Sequence, residues 1–548
     1  MNTPISMQTS AQINLSKRYS WQYKAIKCVL SLMAGLVLVS CGGGGSSGGS
    51  TVVSGGDVIP PKETQVNGPA WFGLGRNAQH DAISGIATQA LNRILWKTGV
   101  DLAPQYSAAG YLFYHYGSPV ITAKNTVILP VKSEAADTYR FEARSGSTGA
   151  QIWSVPSDYI MPTHRWTPSY NLTLTSNNRV YAPGAGGKLY YRDDADSATA
   201  TTQTAVFYGD AKYTAAKAAL DAAVFINTPV TADAQNNIYF GFVANAGNAA
   251  GVRSGFARIT ADGKATWVAV AGMTEDASIV KPATNSAPAV SADQKTVYVV
   301  VNAEAATGIR QAGYLLALDS ATLAVKSKVR LMDPQEKAAA FVSDDSTASP
   351  TIGPDGDVYI GVLETTAGAH NQRGWMLHFN ADLSQTKLPG SFGWDDTASI
   401  VPSSMMPSYK GSSPYLIMVK YNNYARSGTG DSKNRIAILD PNTSQKDSVS
   451  AQQVMTEVLT ILGATPDPNW PGGVYEWCIN TAAVDPFTRS IVVNSEDGYL
   501  YRWDLATNTL SERIRLTSGL GESYTPTAIG ADGAVYAINN AVLFAVGK

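Results

Sequence analysis

The chain has 548 residues, 41 basic against 43 acidic, and a formal net charge of −2. That balance offers no basic surface and argues against a nucleic-acid partner. Three cysteines, a charged content of 15% and abundant Gly, Tyr, Val, Thr and Ser point to an all-β protein stable through its core rather than through disulfides.

Residues 1–40 have the composition of a targeting segment. Lys17, Arg18, Lys24 and Lys27 stand without a single Asp or Glu, and an apolar run follows from Cys28 to Ser40. The run is too short to span a bilayer, which takes about 20 residues, and fits a secretory h-region. Leu38-Val39-Ser40-Cys41 resembles a bacterial lipobox. The resemblance implies cleavage before Cys41 and a lipidated cysteine, palmitate included. The rival is an ordinary signal with a chance cysteine. Gly42, not Asp, follows Cys41, which implies the outer membrane, periplasmic or surface-facing. Loss of the four basic residues takes the net charge to about −6. Residues 41–66 read as a Gly/Ser-rich tether, with residues 67–548 as the folded part. No later stretch has 18 consecutive apolar residues.

From residue 118 onward a unit recurs: a small residue and proline, a short strand, a polar turn, an apolar strand, a variable loop, a third strand ending near Asp, and a fourth. The openings are Ser118-Pro119-Val120, Thr167-Pro168-Ser169, Thr228-Pro229-Val230, Ala287-Pro288-Ala289, Ser349-Pro350-Thr351, Met406-Pro407-Ser408 and Thr525-Pro526-Thr527. Thr481-Ala482 fills the remaining place without proline. Proline is tolerated at the first residue of a strand because its missing N–H lies outside the ladder. Second strands carry Val180-Tyr181, Ile238-Tyr239, Val297-Tyr298, Val358-Tyr359 and Val535-Tyr536. Four strands per unit predict an eight-bladed β-propeller, with seven blades as the alternative because the unit around Met406 is irregular. The last unit has three strands, and Arg93-Ile94-Leu95-Trp96-Lys97 is expected to close it as the fourth. Thr214–Phe225 and Gln452–Leu462 are predicted as helical inserts, the second from its apolar residues at 454, 455, 458, 459 and 462.

Ala143, Ser145, Thr148, Gly149 and Trp153 have the spacing of the tryptophan-docking motif of quinoprotein (PQQ-like repeat) propellers, with Ser145 in place of Asp. Ala257, Gly263 and Trp267 repeat the frame, as do Ala317, Asp319 and Thr322, then Asp440 with Thr443, then Asp504 with Thr507. Trp71-Phe72-Gly73 and Gln79-His80 look like the lead-in of such propellers. The chain therefore resembles this family over residues 67–548. Catalytic members hold pyrroloquinoline quinone with adjacent cysteines and a Ca²⁺ site. Here no cysteines are adjacent, and Asp193, Asp194 and Asp196 lack the calcium-loop frame, so no cofactor is expected. Cofactor-free members include the propeller lipoprotein of the outer-membrane β-barrel assembly machinery, which this chain resembles in signal, anchor and fold, with longer loops.

The long loops join strands two to three and each fourth strand to the next blade, which puts them on one rim. That rim carries Tyr114-His115-Tyr116, His164-Arg165-Trp166, Trp394-Asp395-Asp396, Tyr475-Glu476-Trp477, Cys478 and Glu522, with Arg310, His370 and Arg373 on two-to-three loops. His115 and His164 each stand four residues before their prolines, and Glu522 and Cys478 share that register. The candidate ligand-binding residues are therefore His115, His164, Arg165, Trp166, Glu476, Trp477 and Glu522, with lipidation at Cys41. Two His and a Glu can bind a metal or act as acid and base, or can simply tie loops together; no metal ligand set is assigned. Cys478 reads as a nucleophile or as a buried thiol. His80 and His378 receive no role. The expected function is an envelope scaffold, held to the membrane by its lipid anchor and binding envelope proteins or a polymer, without a quinone. The alternative is an enzyme acting at the channel mouth.

Overall fold

A computed structural model describes residues 68–106, 110, 112, 114, 116–162, 170–303, 311–344, 348–519 and 526–548. The chain divides into two units. Of the first, residues 1–60 and 106–111, only Tyr106 and Gly110 fall within the described residues. The second, residues 61–105 and 112–548, holds eight antiparallel sheets that form the eight blades of a propeller.

Blade 1 is Val120–Ile121, Thr126–Lys132, Tyr139–Ser145 and Gln151–Ser157. Blade 2 runs from Thr173–Leu174 to Thr202–Val206, blade 3 from Val224–Ile226 to Ala265–Ala269 and blade 4 from Ile279–Pro282 to Val325–Arg330. Blade 5 has three regular strands, ending at Trp375–Phe379; blade 6 spans Ser399–Pro402 to Gln453–Leu462 and blade 7 Ala483–Asp485 to Thr509–Arg515. Blade 8 joins Ala528–Ile529, Val535–Asn539 and Val542–Gly547 to Arg93–Gly99, so the expected closure holds: Arg93 pairs with Gly547 and Lys97 with Phe544.

Aromatic side chains join one blade to the next. Trp96 Nε1 donates to Gly146 O (2.6 Å) and Trp153 Nε1 to Ala195 O (2.8 Å), each in the following blade's turn between strands three and four. The second-strand tyrosines act in parallel. Tyr239 donates to Ser320 O (3.2 Å), Tyr298 to Ala381 O (2.6 Å) and Tyr536 to Gly146 O (3.3 Å). The recurring Asp shapes these turns, since Asp319 Oδ1 accepts from the amides of Ala321 and Thr322, and Asp504 Oδ1 from those of Ala506 and Thr507. Ser145 holds Thr148 N only at 3.4 Å, a weaker version of the same turn. Gly149 has φ +72°, and a Cβ there would lie 2.7 Å from the Trp96 ring.

The lead-in segment laces the ring together. Trp71 and Ile121 exchange backbone hydrogen bonds (3.2 and 2.9 Å). Leu174 N then donates to Phe72 O, Val290 N to Ala78 O, Ile352 N to Gln79 O, Ile400 N to Asp81 O and Val484 N to Ala82 O. Gln89 N finally reaches Gly533 O (2.8 Å). Residues 71–89 therefore visit blades 1, 2, 4, 5, 6, 7 and 8 in order, bonding to the first strand in six of them and to the turn after it in blade 8. Arg76, His80 and Ala82 adopt positive φ (77°, 59° and 60°), which turns the chain from one blade to the next. His80 is buried, with Nδ1 2.7 Å from Pro350 O.

Three predicted elements are corrected. Blade 6 opens at Ser399–Pro402, not at Met406-Pro407-Ser408; Met405 and Met406 fall in the connection after it and fill the core between blades 6 and 7. Gln453–Leu462 is an outer strand paired with Arg435–Lys446, not a helix. Its register shifts at Ile438/Leu439 and Asp440/Ser444, and these bulges break the alternation into a stripe with helical spacing. Thr214–Phe225 is helical only in part: Asp210–Ala215 and Lys217–Asp221 are short helices, and Val224 already begins blade 3. Among the described residues no helix is long and apolar enough to cross a membrane.

Two outcomes are expected. Trp96→Ala removes both a buried ring and the tie from blade 8 to blade 1, and should cost about 3–5 kcal/mol in chemical denaturation. Burial outweighs the contact with Pro350 O and lowers the His80 pKa from 6.5 to about 4. The unfolded chain therefore binds the extra proton first, so stability is fully present above pH 6.5 and is lost as pH falls towards 4, by about 3 kcal/mol. His80→Gln should flatten that limb of the stability–pH curve relative to wild type.

Candidate functional site

The blades 6 and 7 bring three ionisable side chains together at the loop end. Glu476 and Cys478 lie on the connection into blade 7, and Glu496 on the short link between Ser490–Asn494 and Tyr499–Asp504. Their ligand atoms all lie within 4.8 Å of one another. Asn422, just past Tyr415–Tyr421 of blade 6, clamps the middle of this connection: its Oδ1 accepts from Trp477 N (3.1 Å) and its Nδ2 donates to Trp477 O (3.2 Å). The Trp477 side chain is buried in the core between blades 6 and 7, edge-on to Tyr501 at 5.6 Å. Glu476 and Cys478, on either side of it, reach the cluster instead.

Burial is the main cause of the electrostatics here. It pushes Glu476 up to about 7, with Asp467 adding to the rise and Lys420 opposing it. Glu496 is raised well above the usual carboxylate range by burial and then by the charge of Glu476, against a hydrogen bond with Cys478. Tyr424 is raised by burial and by Glu476 and Cys478. Lys420 donates from Nζ to Asp395 O (2.8 Å) and from its backbone N to Asp396 Oδ2 (3.0 Å). Such a group of acids can store or pass protons near neutral pH, or hold a cation.

The other sequence candidates are placed as follows. His370 is fully buried, stacked on Trp375 at 3.7 Å, with Nε2 3.0 Å from Asp447 Oδ2. Ser391 donates to the other oxygen of Asp447 (2.5 Å). Burial would raise Asp447, but the bonds from His370, Ser391 and Ser450 outweigh it and hold the group well below the usual range. Serine and histidine thus share one acid inside the protein, an arrangement that ties loops rather than activates a nucleophile. Arg373 is likewise buried, over the Tyr421 ring at 4.2 Å. His378 bonds Asp357 (2.8 Å), which Lys387 also reaches. Asp193 pairs with Arg179, and Asp196 accepts from Thr122 (2.6 Å) and Asn178 (2.8 Å), so this acidic run is spent on a blade 2 turn.

Cys41, His115, His164, Arg165, Trp166, Arg310 and Glu522 lie outside the described residues. The strand ladder starts at Val120 directly after Pro119, but at Thr173 in blade 2 and Ala528 in blade 8, displaced from Pro168 and Pro526. Counting back from proline therefore does not define one register for all four blades. Glu496 escaped the sequence reading because Asn494-Ser495-Glu496-Asp497-Gly498 reads as an ordinary tight turn. The available signal was the shortness of the link between the second and third strands of blade 7, which sets Glu496 beside the connection that carries Glu476 and Cys478.

No family model matches the sequence, and no curated protein matches it. Among solved structures, a europium-containing methanol dehydrogenase aligns with TM-score 0.52 and 10% identity over 86% of this chain and 89% of its own. The quinohemoprotein alcohol dehydrogenase from Comamonas testosteroni aligns with TM-score 0.50 and 12% identity over 87% and 76%. BamB from Moraxella catarrhalis aligns with TM-score 0.40 and 11% identity over 83% and 100%. At these identities the likeness concerns the fold alone. No two cysteines are adjacent in the chain, so the cysteine pair that the resemblance implies beside a quinone is missing. A carboxyl raised in the folded state destabilises the fold as pH climbs from about 4.5, where the unfolded group ionises, towards 7. Glu496→Gln should remove part of that loss, seen as a shallower fall in urea-unfolding stability over this window. What the chain shares with these structures is its architecture: it is an eight-bladed β-propeller.

Proposed function

We propose that this protein is a lipid-anchored propeller of the bacterial envelope whose loop rim holds a protein or polymer partner, with no quinone taking part. The observation that carries this reading is the lacing by residues 71–89. It bonds to the first strands of six blades and to the turn after the first strand of blade 8, so the long connections of the loop rim are the face left with room for a ligand. The basic segment with Lys17, Arg18, Lys24 and Lys27, the apolar run and Cys41 support the anchor and an outer-membrane location. Tyr475 and Glu476 are half-buried at the rim, where aromatic and acidic groups suit a polar partner. A second reading, catalysis at the channel mouth, draws on the raised carboxyls of Glu476 and Glu496 beside Cys478.

Two measurements test the binding reading. Cys41→Ala should move the protein from the membrane fraction or block its processing; unchanged membrane association would defeat the anchor. A photo-crosslinking residue at Tyr475 should trap an envelope partner in living cells, while one at Val325, on an exposed outer strand, should not. Equal adducts from both positions would defeat the rim as the binding face.

A further inference from the structure

We propose that Glu476, Cys478 and Glu496 form a site for one divalent transition-metal ion of the zinc class. Two carboxylates and a thiol meet from two separate segments, with ligand atoms within 4.8 Å of one another. Three donors around an ion at about 2.0–2.3 Å stand about 3.3–3.8 Å apart, so small side-chain rotations close the shell.

The supports are fixed in advance. Asn422 grips Trp477 by both its amide and its carbonyl, and the buried Trp477 ring anchors the same residue, which sets the donors on either side. Gly498, at φ +87°, turns the chain directly after Glu496-Asp497. Cys478 is 2% exposed, which limits competition from water and oxidants. A dication would relieve the repulsion between two neighbouring carboxylates and stabilise the thiolate by direct bonding.

Donor identity selects the ion. A thiolate disfavours calcium and magnesium, which take all-oxygen shells, while mixed sulfur and oxygen donors suit zinc and its cobalt analogue. Three protein ligands leave a fourth position for water or a ligand group from the rim. The inference stands apart from the scaffold reading, since the ion would bind whether or not a partner does. Among the described residues the acidic run of blade 2 and Asp447 are already engaged: Asp193 and Asp196 by Arg179, Thr122 and Asn178, and Asp447 by His370 and Ser391.

The test uses the full-length chain, stripped with chelator and titrated with Co²⁺. Wild type should bind one ion per chain and show near-ultraviolet thiolate-to-cobalt charge transfer together with visible d–d bands. Cys478→Ser should lose the charge-transfer band, and Glu496→Gln should weaken Co²⁺ binding by about 10–100-fold or more. If a variant fails to fold, wild type still decides, because Zn²⁺ should both displace the cobalt spectrum and protect Cys478 from alkylation. A wild-type protein without the charge-transfer band, or one whose Cys478 alkylates equally fast with and without Zn²⁺, overturns the proposal.

Discussion

The backbone hydrogen bonds of residues 71–89 are the constraint on which the rest of this structure depends. Adjacent blades meet through side chains and a few main-chain bonds such as Thr397 N to Asn480 O, whereas this segment joins blades that are distant in sequence by main-chain bonds, from Ile121 to Val484. Each bond supplies a partner for a first-strand amide that would otherwise face the ring interior unpaired, where an unmade bond costs about 1–3 kcal/mol. The same segment continues into Arg93–Gly99 and closes blade 8. One stretch of chain thereby fixes both the diameter of the ring and its seam. Three non-glycine residues at positive φ are the strain that this path requires.

Around that lacing, blades 8 and 1, 1 and 2, 3 and 4, and 4 and 5 are joined by ring groups that combine apolar area with one hydrogen bond. Trp96 and Tyr536 both end on Gly146 O, so the seam between blades 8 and 1 is tied twice. A buried ring N–H or O–H usually finds an acceptor, and for Trp96, Trp153, Tyr239, Tyr298 and Tyr536 it is a turn carbonyl of the neighbouring blade. This satisfies polar atoms at the blade boundary without charged residues, in keeping with the low charge content.

Much of the fold was legible because the repeat expresses these local needs. The Val-Tyr pairs mark second strands whose tyrosines reach across, and Asp-x-x-Thr marks turns that the Asp carboxylate holds closed. Closure by Arg93–Lys97 followed from a missing strand. Bulges hid blade 6: they gave Gln453–Leu462 a helical spacing, and Met406-Pro407 imitated an opening that Ser399 supplies without proline. The site was legible in part. Glu476 and Cys478 stood out as rim residues, but their partner Glu496 sat in what looked like a plain turn, since proximity across a blade is set by loop length rather than by residue type. Trp477 lies between them in sequence and points into the core, where alternation along an extended segment sends it.

The lacing of the ring is tested most directly by amide hydrogen exchange on the folded protein. The amides of Ile121, Leu174, Val290, Ile352, Ile400 and Val484 lie in six different blades, yet all bond to residues 71–82. They should exchange together, only through the same rare global opening, and as slowly as the central strands of their blades. Fast exchange at these six positions, with the second strands still protected, would show that the segment is not what holds the ring.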